Sequence, residues 1–259
     1  MANRGTVLST WAICIHLFFL VWGVETARAE RVLRLITDHW PPYESIAKRD
    51  APGFSTEVID QVMTRMGVRI TLEEYPWKRA MQYVYAGRYD GIFTAFYSKD
   101  RAQYCHYPSE GLSQVSFVMV IRKSDRNRLS YDSFDDLDGK YVGLVRGSHY
   151  PEPFMAALKQ RGMIQLGDNT RMNMAKLMKK RLDFIVAEYN NIWHIAREMG
   201  VTEEVLPLVD RPVKEDTIYL IFSKKTVSVS LVDEFSQTLK AFKMTESYRG
   251  LQRKYFGAH

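Results

Sequence analysis

Early in the chain, the apolar positions switch repeatedly between the period of a strand and the period of a helix. Residues 31–37 form a short apolar run that predicts a strand, and residues 54–67 place apolar side chains on one helical face before a glycine. Residues 68–75 alternate like a strand, residues 77–87 predict a helix that ends at a glycine, and residues 90–96 predict another strand. The βαβαβ order predicts a mostly parallel sheet with helices on its faces.

The same alternation returns in the second part of the chain. Residues 140–145 predict a strand, and residues 151–162 predict a helix with proline near its start and glycine at its end. A helix over 173–181, a strand over 182–189 and a helix over 190–200 complete this unit. The chain therefore contains two α/β units of similar size.

Two long apolar strands, over 116–123 and 216–224, flank the second unit, and residues 229–256 predict a closing helix. The simplest topology has two lobes joined by two strands, with the chain crossing near 118–123 and returning near 217–223. Ligands in open α/β sheets bind beyond the carboxyl ends of the strands, which places a binding cleft between the lobes.

The amino-terminal residues 1–29 predict an export signal. Arg4 supplies a positive start, residues 7–24 are apolar, and residues 27–29 form a small-x-small cleavage site. An uncleaved membrane anchor is the alternative, because the apolar stretch is about long enough to span a bilayer. Cleavage favours an exported, periplasmic protein.

Composition narrows the class of protein further. Removal of residues 1–29 changes the formal net charge from +6 to +5, and no dense block of lysine and arginine indicates nucleic-acid binding. Cys105 is then the only cysteine, so no intrachain disulfide is possible, and we expect a small buried hydrophobic side chain there. The histidines lack paired ligand spacing and no nucleotide-binding loop is present, so no metal or cofactor is expected.

Five segments in consistent order resemble the extracytoplasmic solute-binding proteins of ABC transporters, in the family 3 group whose ligands are often polar amino acids. They are "LRLITDHWPPYE", "GFSTEVIDQV", "GRYDGIFTAFYSKDR", "FDDLDGKYVGLVRGS" and "RLDFIVAEY". The resemblance implies an α/β, two-lobed, type II periplasmic binding protein-like fold, in which two parallel or mixed sheets with flanking helices are joined by two hinge strands. It divides the chain into lobe 1, residues 30–119 and 222–259, and an inserted lobe 2, residues 120–221.

The resemblance also implies a set of ligand-binding residues. Arg101 corresponds to the arginine that clamps the ligand's α-carboxylate, and Glu188 to the acid that takes the α-ammonium, with help from Asp38. Trp77 is expected to pack on the ligand, and Trp40 or Tyr43 to form the opposing wall. The rest of the implied set is Thr94, Phe96, Ser98, Arg146 and Ser148.

Each of these residues has a structural alternative. Arg101 could be a solvated loop charge, Glu188 a helix cap, and Asp38 part of the turn before the proline pair; the two tryptophans could be core residues. Phe96 also stands where the family commonly has a small hydroxyl residue, and Arg146 and His149 add bulk or charge to the second turn. A plain proteinogenic amino acid is therefore less certain as a ligand than the family itself.

The function expected from the resemblance is capture of a small zwitterionic or anionic solute, with a carboxylate, for ABC-type uptake. The partners expected are this ligand and a transporter permease, and the protein is expected to be a monomer that is not an enzyme. One alternative is a small-carboxylate lyase or dehydratase that uses Glu188 or Asp38 as acid or base. Another is a ligand-sensing module for a membrane receptor.

Overall fold

Ten strands lie in the part of the chain that the computed structural model describes, which is residues 32–48, 50–148 and 150–257. The proposed export signal lies outside these residues. The strands are β1 Val32–Thr37, β2 Arg69–Glu74, β3 Gly91–Phe96, β4 Cys105–His106, β5 Ser113–Arg122, β6 Tyr141–Val145, β7 Met163–Gly167, β8 Phe184–Glu188, β9 Val205–Leu208 and β10 Lys214–Ser223.

Helices alternate with the strands, as the sequence predicts. They are α1 Phe54–Arg65, α2 Trp77–Tyr85, α3 Lys99–Tyr104, α4 Glu152–Arg161, α5 Thr170–Met178, α6 Tyr189–Met199, α7 Val229–Lys243 and α8 Glu246–Phe256, with short 3-10 helices at Lys123–Asp125, Phe134–Leu137 and Thr202–Glu204. The predicted α/β class with flanking helices is confirmed.

The sheet has two parallel parts joined by two antiparallel strands. Its order is β2-β1-β3-β10-β5-β8-β6-β7, with β4 paired to β10 and β9 paired to β5. We call β2, β1, β3 and β10 the first half, and β5, β8, β6 and β7 the second half. In the first half β1 runs parallel to β2 and β3, and in the second half β6 runs parallel to β7 and β8.

The long strands β5 and β10 hold the two halves together. They pair antiparallel from Lys214 opposite Phe117 to Ile218 opposite Ser113. Beyond this segment β10 pairs with β3 in the first half, and β5 pairs with β8 in the second half, where Phe117 lies opposite Glu188. The two halves therefore form one continuous hydrogen-bonded sheet rather than two separate ones.

Each half of the sheet has a hydrophobic core on both faces. In β1, Leu33 and Leu35 join one buried cluster with α1 and α7, while Ile36 joins another with α2. In β8, Phe184 and Ile185 likewise belong to different clusters. Side chains alternate across a strand, so strands buried on both faces appear in the sequence as continuous apolar runs.

The structure differs from the sequence prediction at the carboxyl terminus. The single closing helix is divided into α7 and α8 at Met244 and Thr245. The Thr245 hydroxyl caps α8 by accepting a hydrogen bond from the Tyr248 N–H at 3.3 Å. A threonine that accepts from the first turn of a helix favours a helix start over helix continuation.

Besides the three 3-10 helices, four short elements among the described residues, α3, β4, β7 and β9, were not predicted. β7 lies at the edge of the sheet and is only partly buried, so its sequence lacks the apolar run that marks the central strands. Within residues 32–48, 50–148 and 150–257, no helix has both the length and the apolar character that a membrane span requires.

Candidate functional site

A cavity of about 640 Å³ lies where the carboxyl ends of strands from both halves of the sheet meet. The first half contributes the residues that follow β1 and the end of β3, and the second half contributes the ends of β6 and β8. This is the edge at which open α/β sheets bind ligands. The volume is within the range of small-molecule sites.

Most of the sequence-predicted site residues line this cavity. They are Asp38, Trp40, Trp77, Thr94, Phe96, Arg101, Arg146, Ser148 and Glu188. Tyr43 does not line the cavity. It is fully buried and stacks on Trp40, with the two ring centroids 4.8 Å apart. Ser98 directly precedes α3 and does not line the cavity.

A tight turn after β1 presents Trp40 to the cavity. Trp40 and Glu44 exchange two backbone hydrogen bonds of 3.1 Å, which closes the turn. Gly53 packs directly behind it with a φ of 111°, and a Cβ there would lie 2.2 Å from the Tyr43 carbonyl oxygen. Only glycine fits this close approach, so Gly53 fixes the position of the turn against α1.

Arg101 is held in the cavity wall by two contacts. Its Nη1 donates a hydrogen bond of 2.9 Å to the Phe96 carbonyl oxygen, and its guanidinium carbon lies 5.3 Å from the centre of the Trp77 ring. The ion pairs between described residues do not include Arg101. The Tyr107 hydroxyl also interacts with this guanidinium. The cation–π contact orients the group, and its other N–H groups can pair with a carboxylate.

Thr94 and Glu44 form a buried pair that the sequence analysis did not identify. The Thr94 hydroxyl donates a hydrogen bond of 2.6 Å to Glu44 Oε2. Thr94 has a φ of 64°, in the left-handed region that β-branched residues avoid. Strain of this kind is retained where the surrounding structure requires it, often at functional sites.

Glu44 is the most unusual group in the cavity lining. Its side chain is 0% exposed, and Oε1 has no hydrogen-bond partner among the described residues. Burial raises the pKa of Glu44 well above its usual range, and the charges of Asp38 and Glu74 raise it further. No local sequence signal separates this glutamate from an ordinary turn carboxylate, which is why the sequence did not reveal it.

Glu188 both lines the cavity and caps a helix. Its Oε2 accepts a hydrogen bond of 2.8 Å from the Asn191 N–H at the start of α6, and its Oε1 accepts one of 3.0 Å from the Tyr43 hydroxyl. Burial raises the pKa of Glu188 to about 7, although the N–H donors oppose the rise. The helix-cap alternative is therefore present in the structure, and both carboxylate oxygens already have partners.

Further contacts join the turn after β1 to the start of α6. The Asn190 side chain donates a hydrogen bond of 2.9 Å to the Tyr43 hydroxyl oxygen, and the Asn191 side chain donates one of 2.5 Å to the Pro41 carbonyl oxygen. Together with the contact from Tyr43 to Glu188, they link the two halves of the sheet on one side of the cavity. A ligand bound there would be screened from water on that side.

Asp38 lines the cavity and forms no ion pair with the other described residues. Burial raises its pKa to about 6, and the nearby Glu74 carboxylate adds to the rise. His39 lies next to it in the chain and places Nδ1 3.7 Å from a carboxylate oxygen of Glu74. Asp38 is therefore the less occupied of the two acids that were expected to bind a ligand ammonium.

The second half supplies a more exposed part of the lining. Arg146 Nε lies 3.1 Å from Asp168 Oδ1, and both side chains are well exposed. Ser148 is also exposed, and His149 lies outside the described residues. Asp168 and Asn169, which precede α5, and Thr170 and Arg171, which begin it, also line the cavity and were not predicted. This part of the sequence gave no recognisable motif.

An aromatic wall borders the cavity where the first half of the sheet meets β5 of the second half. The Trp40 ring lies 6.2 Å from Phe96 and 6.4 Å from Phe117, measured between ring centroids. Phe117, the unpredicted member, lies on β5 where that strand leaves its pairing with β10. We call Trp40, Phe96 and Phe117 the aromatic wall.

The described residues support neither a metal site nor a reactive cysteine. Groups of histidine, cysteine, aspartate and glutamate that could hold a metal ion are absent from residues 32–48, 50–148 and 150–257. Cys105 is a free, buried thiol whose pKa is raised to about 11 by burial. A thiol of this kind is a structural side chain rather than a reactive one.

Comparison with protein families gives one clear result. The model of the bacterial extracellular solute-binding proteins, family 3, matches residues 33–258. A comparison with curated proteins finds no match.

Solved structures with the same fold include a sensor and two amino-acid-binding proteins. A histidine kinase sensor domain with similarity to periplasmic binding proteins is 20% identical, with a TM-score of 0.69 over 88% of this chain and 97% of its own. The GluR0 ligand-binding core from Nostoc punctiforme, in complex with L-glutamate, is 19% identical, with a TM-score of 0.67 over 87% and 100%. The ancestral amino acid-binding protein AncCDT-1, a precursor of cyclohexadienyl dehydratase, is 16% identical, with a TM-score of 0.68 over 87% and 95%. At these sequence identities, the similarity shows that the fold is shared and nothing more.

Proposed function

Because the chain belongs to the bacterial extracellular solute-binding proteins of family 3, we propose that it captures a small zwitterionic or anionic solute in the cavity between the two halves of its sheet. The solute is an amino acid or a related carboxylate. The family binds solutes outside the cytoplasm, and amino-acid-binding proteins share the fold.

The observation that carries this proposal is the position of the Arg101 guanidinium, which is oriented at the cavity and forms no ion pair with the other described residues. Its guanidinium lines the cavity, is oriented by the Phe96 carbonyl and the Trp77 ring, and is not included in the ion pairs between described residues. An arginine held in this way is ready to form two parallel N–H···O bonds with a carboxylate. Each charge-assisted bond contributes about 1.5–3 kcal/mol.

Asp38 is the better candidate for the ligand ammonium. Both oxygens of Glu188 already accept hydrogen bonds. Among the described residues, the Asp38 carboxylate has only its own backbone N–H as a hydrogen-bond donor. In this proposal Asp38 binds the ammonium, and Glu188 holds Tyr43 and α6 in the positions that shape the cavity.

Delivery to an ABC transporter completes the proposal. Residues 1–29 act as a cleaved export signal, and residues 30–119 with 222–259 form one lobe around the inserted lobe 120–221. The lobes close about β5 and β10, which carry the chain between the halves. Hinge closure around a ligand is the general behaviour of periplasmic binding proteins.

Isothermal titration calorimetry on purified protein, unfolded and refolded to remove carried-over solute, tests the proposal. We expect binding of at least one α-amino acid or small carboxylate, and a loss of about 2–5 kcal/mol in the Arg101→Ala variant. The control Arg126→Ala removes an exposed arginine that does not line the cavity, and should bind normally. Binding that ignores Arg101 would contradict the carboxylate clamp.

An enzyme is the second candidate, and the two titrating acids favour it. Asp38 and Glu188 line one cavity with pKa values raised to about 6 and about 7, the range that suits general acid–base catalysis near neutral pH. AncCDT-1, described as a precursor of a dehydratase, has the same fold. Steady turnover of a bound small carboxylate, lost in Glu188→Gln, would support this candidate over transport.

A sensor is the third candidate, and it is motivated by the histidine kinase sensor domain of the same fold. The chain would then act through a separate membrane receptor. Loss of ligand uptake in a deletion strain supports transport, whereas loss of a transcriptional response with normal uptake supports sensing.

A further inference from the structure

The two faces of the first half of the sheet are covered unequally. On one face, α1, α7 and α8 all contribute buried side chains to the core. On the other face, α2 is the one helix of the described residues that contributes to the core, through Ala80, Met81 and Val84. Because α2 has only 9 residues, this second face is thinly covered.

Tyrosine side chains form the outer cover of the thinly covered face. The hydrophobic side chains that pack, partly buried, against its core are Tyr75, Trp77, Tyr83, Tyr85, Tyr89, Tyr107 and Tyr219. Tyr75, Tyr83 and Tyr89 contact one another, with ring centroids between 5.5 and 6.1 Å apart. We call these three residues the tyrosine cluster. Tyrosine presents an apolar ring and a polar hydroxyl together, and it is enriched where protein surfaces bind other proteins.

A second cavity, of about 400 Å³, lies beside the tyrosine cluster. Its lining is the tyrosine cluster together with Arg34, Glu73 and Arg88. It shares no lining residue with the larger cavity at the strand ends. The second cavity is therefore a separate feature of the first half of the sheet, and arginine and tyrosine dominate its lining.

The two arginines of the second cavity are oriented by tyrosine rings. The guanidinium carbon of Arg88 lies 5.4 Å from the centre of the Tyr83 ring, and that of Arg34 lies 5.9 Å from the centre of the Tyr89 ring. Arg88 forms no ion pair with the other described residues, and Arg34 Nε comes no closer than 3.9 Å to Asp90. Guanidinium groups that are held in place without a close acid are available to the carboxylates of another molecule.

The carboxylate in this lining supports the tyrosine rings and does not pair with the arginines. Glu73 Oε2 accepts hydrogen bonds from the Tyr75 hydroxyl at 3.1 Å and from the Tyr89 hydroxyl at 2.8 Å. Glu73 forms no ion pair with the other described residues. It thus fixes the ring on which Arg34 lies and leaves both arginines with unneutralised charge.

Further cations surround the second cavity. Arg79 is exposed on α2 four residues before Tyr83, so the two side chains lie on the same side of the helix. Lys78 is exposed on the same helix, and Lys225 is exposed where it packs beside Gly87. Arg79, Lys78 and Lys225 form no ion pair with the other described residues. This surface therefore has a local excess of positive charge, which favours a partner rich in carboxylates.

We propose that the second cavity and the tyrosine cluster form a docking site for an acidic segment of a partner protein. Carboxylates of the segment pair with Arg34 and Arg88, and the side-chain stems between them pack on the tyrosine rings. Clusters of arginine recognise acidic motifs in this way, and tyrosine and arginine supply much of the binding energy at protein interfaces. The docking site is separate from the proposed solute site and does not depend on it.

Fluorescence anisotropy with two labelled, end-capped octapeptides, one of glutamate and one of glutamine, tests the docking site at low ionic strength. We expect the wild-type protein to bind the glutamate peptide at least about tenfold more tightly than the glutamine peptide. The double variant Arg34→Gln with Arg88→Gln should bind the glutamate peptide at least about tenfold more weakly than the wild type. The matched control, Arg126→Gln with Arg181→Gln, removes two exposed arginines of the second half and should change the affinity by less than about twofold.

Cross-linking of the wild-type protein gives a measurement that needs no variant. A carbodiimide couples the carboxylates of the bound glutamate peptide to nearby lysine amines, and mass spectrometry locates the product. We expect coupling at Lys78 or Lys225, beside the second cavity, in preference to Lys179 and Lys180, which are exposed on the second half.

The outcomes decide for or against the docking site. Equal losses in the two double variants, or coupling spread evenly over the exposed lysines, would show attraction to net charge alone and overturn it. Failure of the wild type to bind the glutamate peptide also overturns it, as does binding that is lost in Arg101→Ala and kept in the Arg34 and Arg88 variant. If that double variant fails to fold, the cross-linked positions decide. Solute capture is tested separately, by titration with α-amino acids and small carboxylates, and stands or falls on its own.

Discussion

The Tyr43 hydroxyl donates a hydrogen bond to Glu188 Oε1 across 3.0 Å, between residues that lie 145 positions apart in the chain. Tyr43 belongs to the turn after β1 in the first half of the sheet, and Glu188 ends β8 in the second half. Each side chain is nearly or completely buried. One hydrogen bond thus connects the wall of the cavity, the cap of α6 and the contact between the two halves.

The Tyr43→Phe variant tests the energy of this contact. At pH 8, where Glu188 is mostly ionised, we expect the free energy of unfolding to fall by about 1.5–3 kcal/mol, because a charged, buried acceptor loses a donor. Urea unfolding measures the change. Tyr248→Phe is the matched control: its buried hydroxyl donates to the neutral Leu112 carbonyl oxygen at 3.1 Å, so we expect a smaller loss of about 0.5–1.5 kcal/mol.

Small-angle scattering separates the role of Tyr43 in closure from its role in stability. Tyr43→Phe should increase the radius of gyration of the ligand-free protein, because a contact between the halves is lost. Tyr248→Phe should leave the radius of gyration unchanged, because Tyr248 and its acceptor Leu112 both belong to the core of the first half. An equal radius in the two variants would contradict a role for Tyr43 in holding the halves together.

Stability should depend on pH through Glu188. Its pKa rises from 4.5 to about 7 on folding, so the folded protein binds the proton more tightly than the unfolded chain. The stabilisation is complete below pH 4.5 and is lost as the pH rises toward 7, with a slope of at most about 1.4 kcal/mol per pH unit. Urea unfolding at pH 5, 6 and 7 measures this slope.

Glu188→Gln should flatten the pH dependence without removing it, because Asp38 contributes with the same sign through its own raised pKa. Glu203→Gln should keep the wild-type slope, since that carboxylate is exposed. His106 and His194, whose pKa values are lowered by burial, contribute to the total slope with the opposite sign. The difference in slope between the wild type and Glu188→Gln is therefore the decisive quantity, and equal slopes would refute the raised pKa of Glu188.

The hydroxyl of Thr94 should matter more than its methyl group. Thr94→Val removes the donor to Glu44 Oε2, leaves a buried carboxyl group without its hydrogen bond, and should cost about 1–3 kcal/mol in urea unfolding. Thr94→Ser keeps the hydroxyl and should cost less than about 1 kcal/mol. Equal losses in the two variants would mean that packing of the methyl group, and not the hydrogen bond, holds this position.

Gly53 should tolerate no side chain. In Gly53→Ala the new Cβ would lie 2.2 Å from the Tyr43 carbonyl oxygen at a φ of 111°, so we expect a destabilisation of more than about 1 kcal/mol and weaker ligand binding. Thermal unfolding and titration calorimetry measure the two effects. Gly250→Ala is the control, because it lies inside α8 with open space around it and should gain about 0.5–1 kcal/mol. A fully stable Gly53→Ala would show that the turn can move.

The sequence by itself determined the alternation of strands and helices and the family, and most of the residues that it assigned to the site do line the cavity. Central strands such as β3 and β8 are buried on both faces, so they appear in the sequence as short continuous apolar runs between turn residues. Asp38 directly follows β1, and Arg101 lies in the short helix α3 that follows β3. Residues at the carboxyl ends of strands reach the same edge of the sheet whatever the details of packing, and their position in the cavity lining was therefore predictable.

Only the tertiary structure decided what each acid does. Glu188 follows a strand, as a ligand-binding acid would, yet its oxygens are occupied by α6 and by Tyr43 from the other half of the sheet. Glu44 is part of an ordinary-looking turn, yet it is fully buried against Thr94. The Asn191 N–H that Glu188 caps is three positions away, and the helix-cap alternative anticipated it. The burial of these carboxyl groups, and the donors Tyr43 and Thr94 that lie 145 and 50 positions away, are not contained in any local sequence pattern.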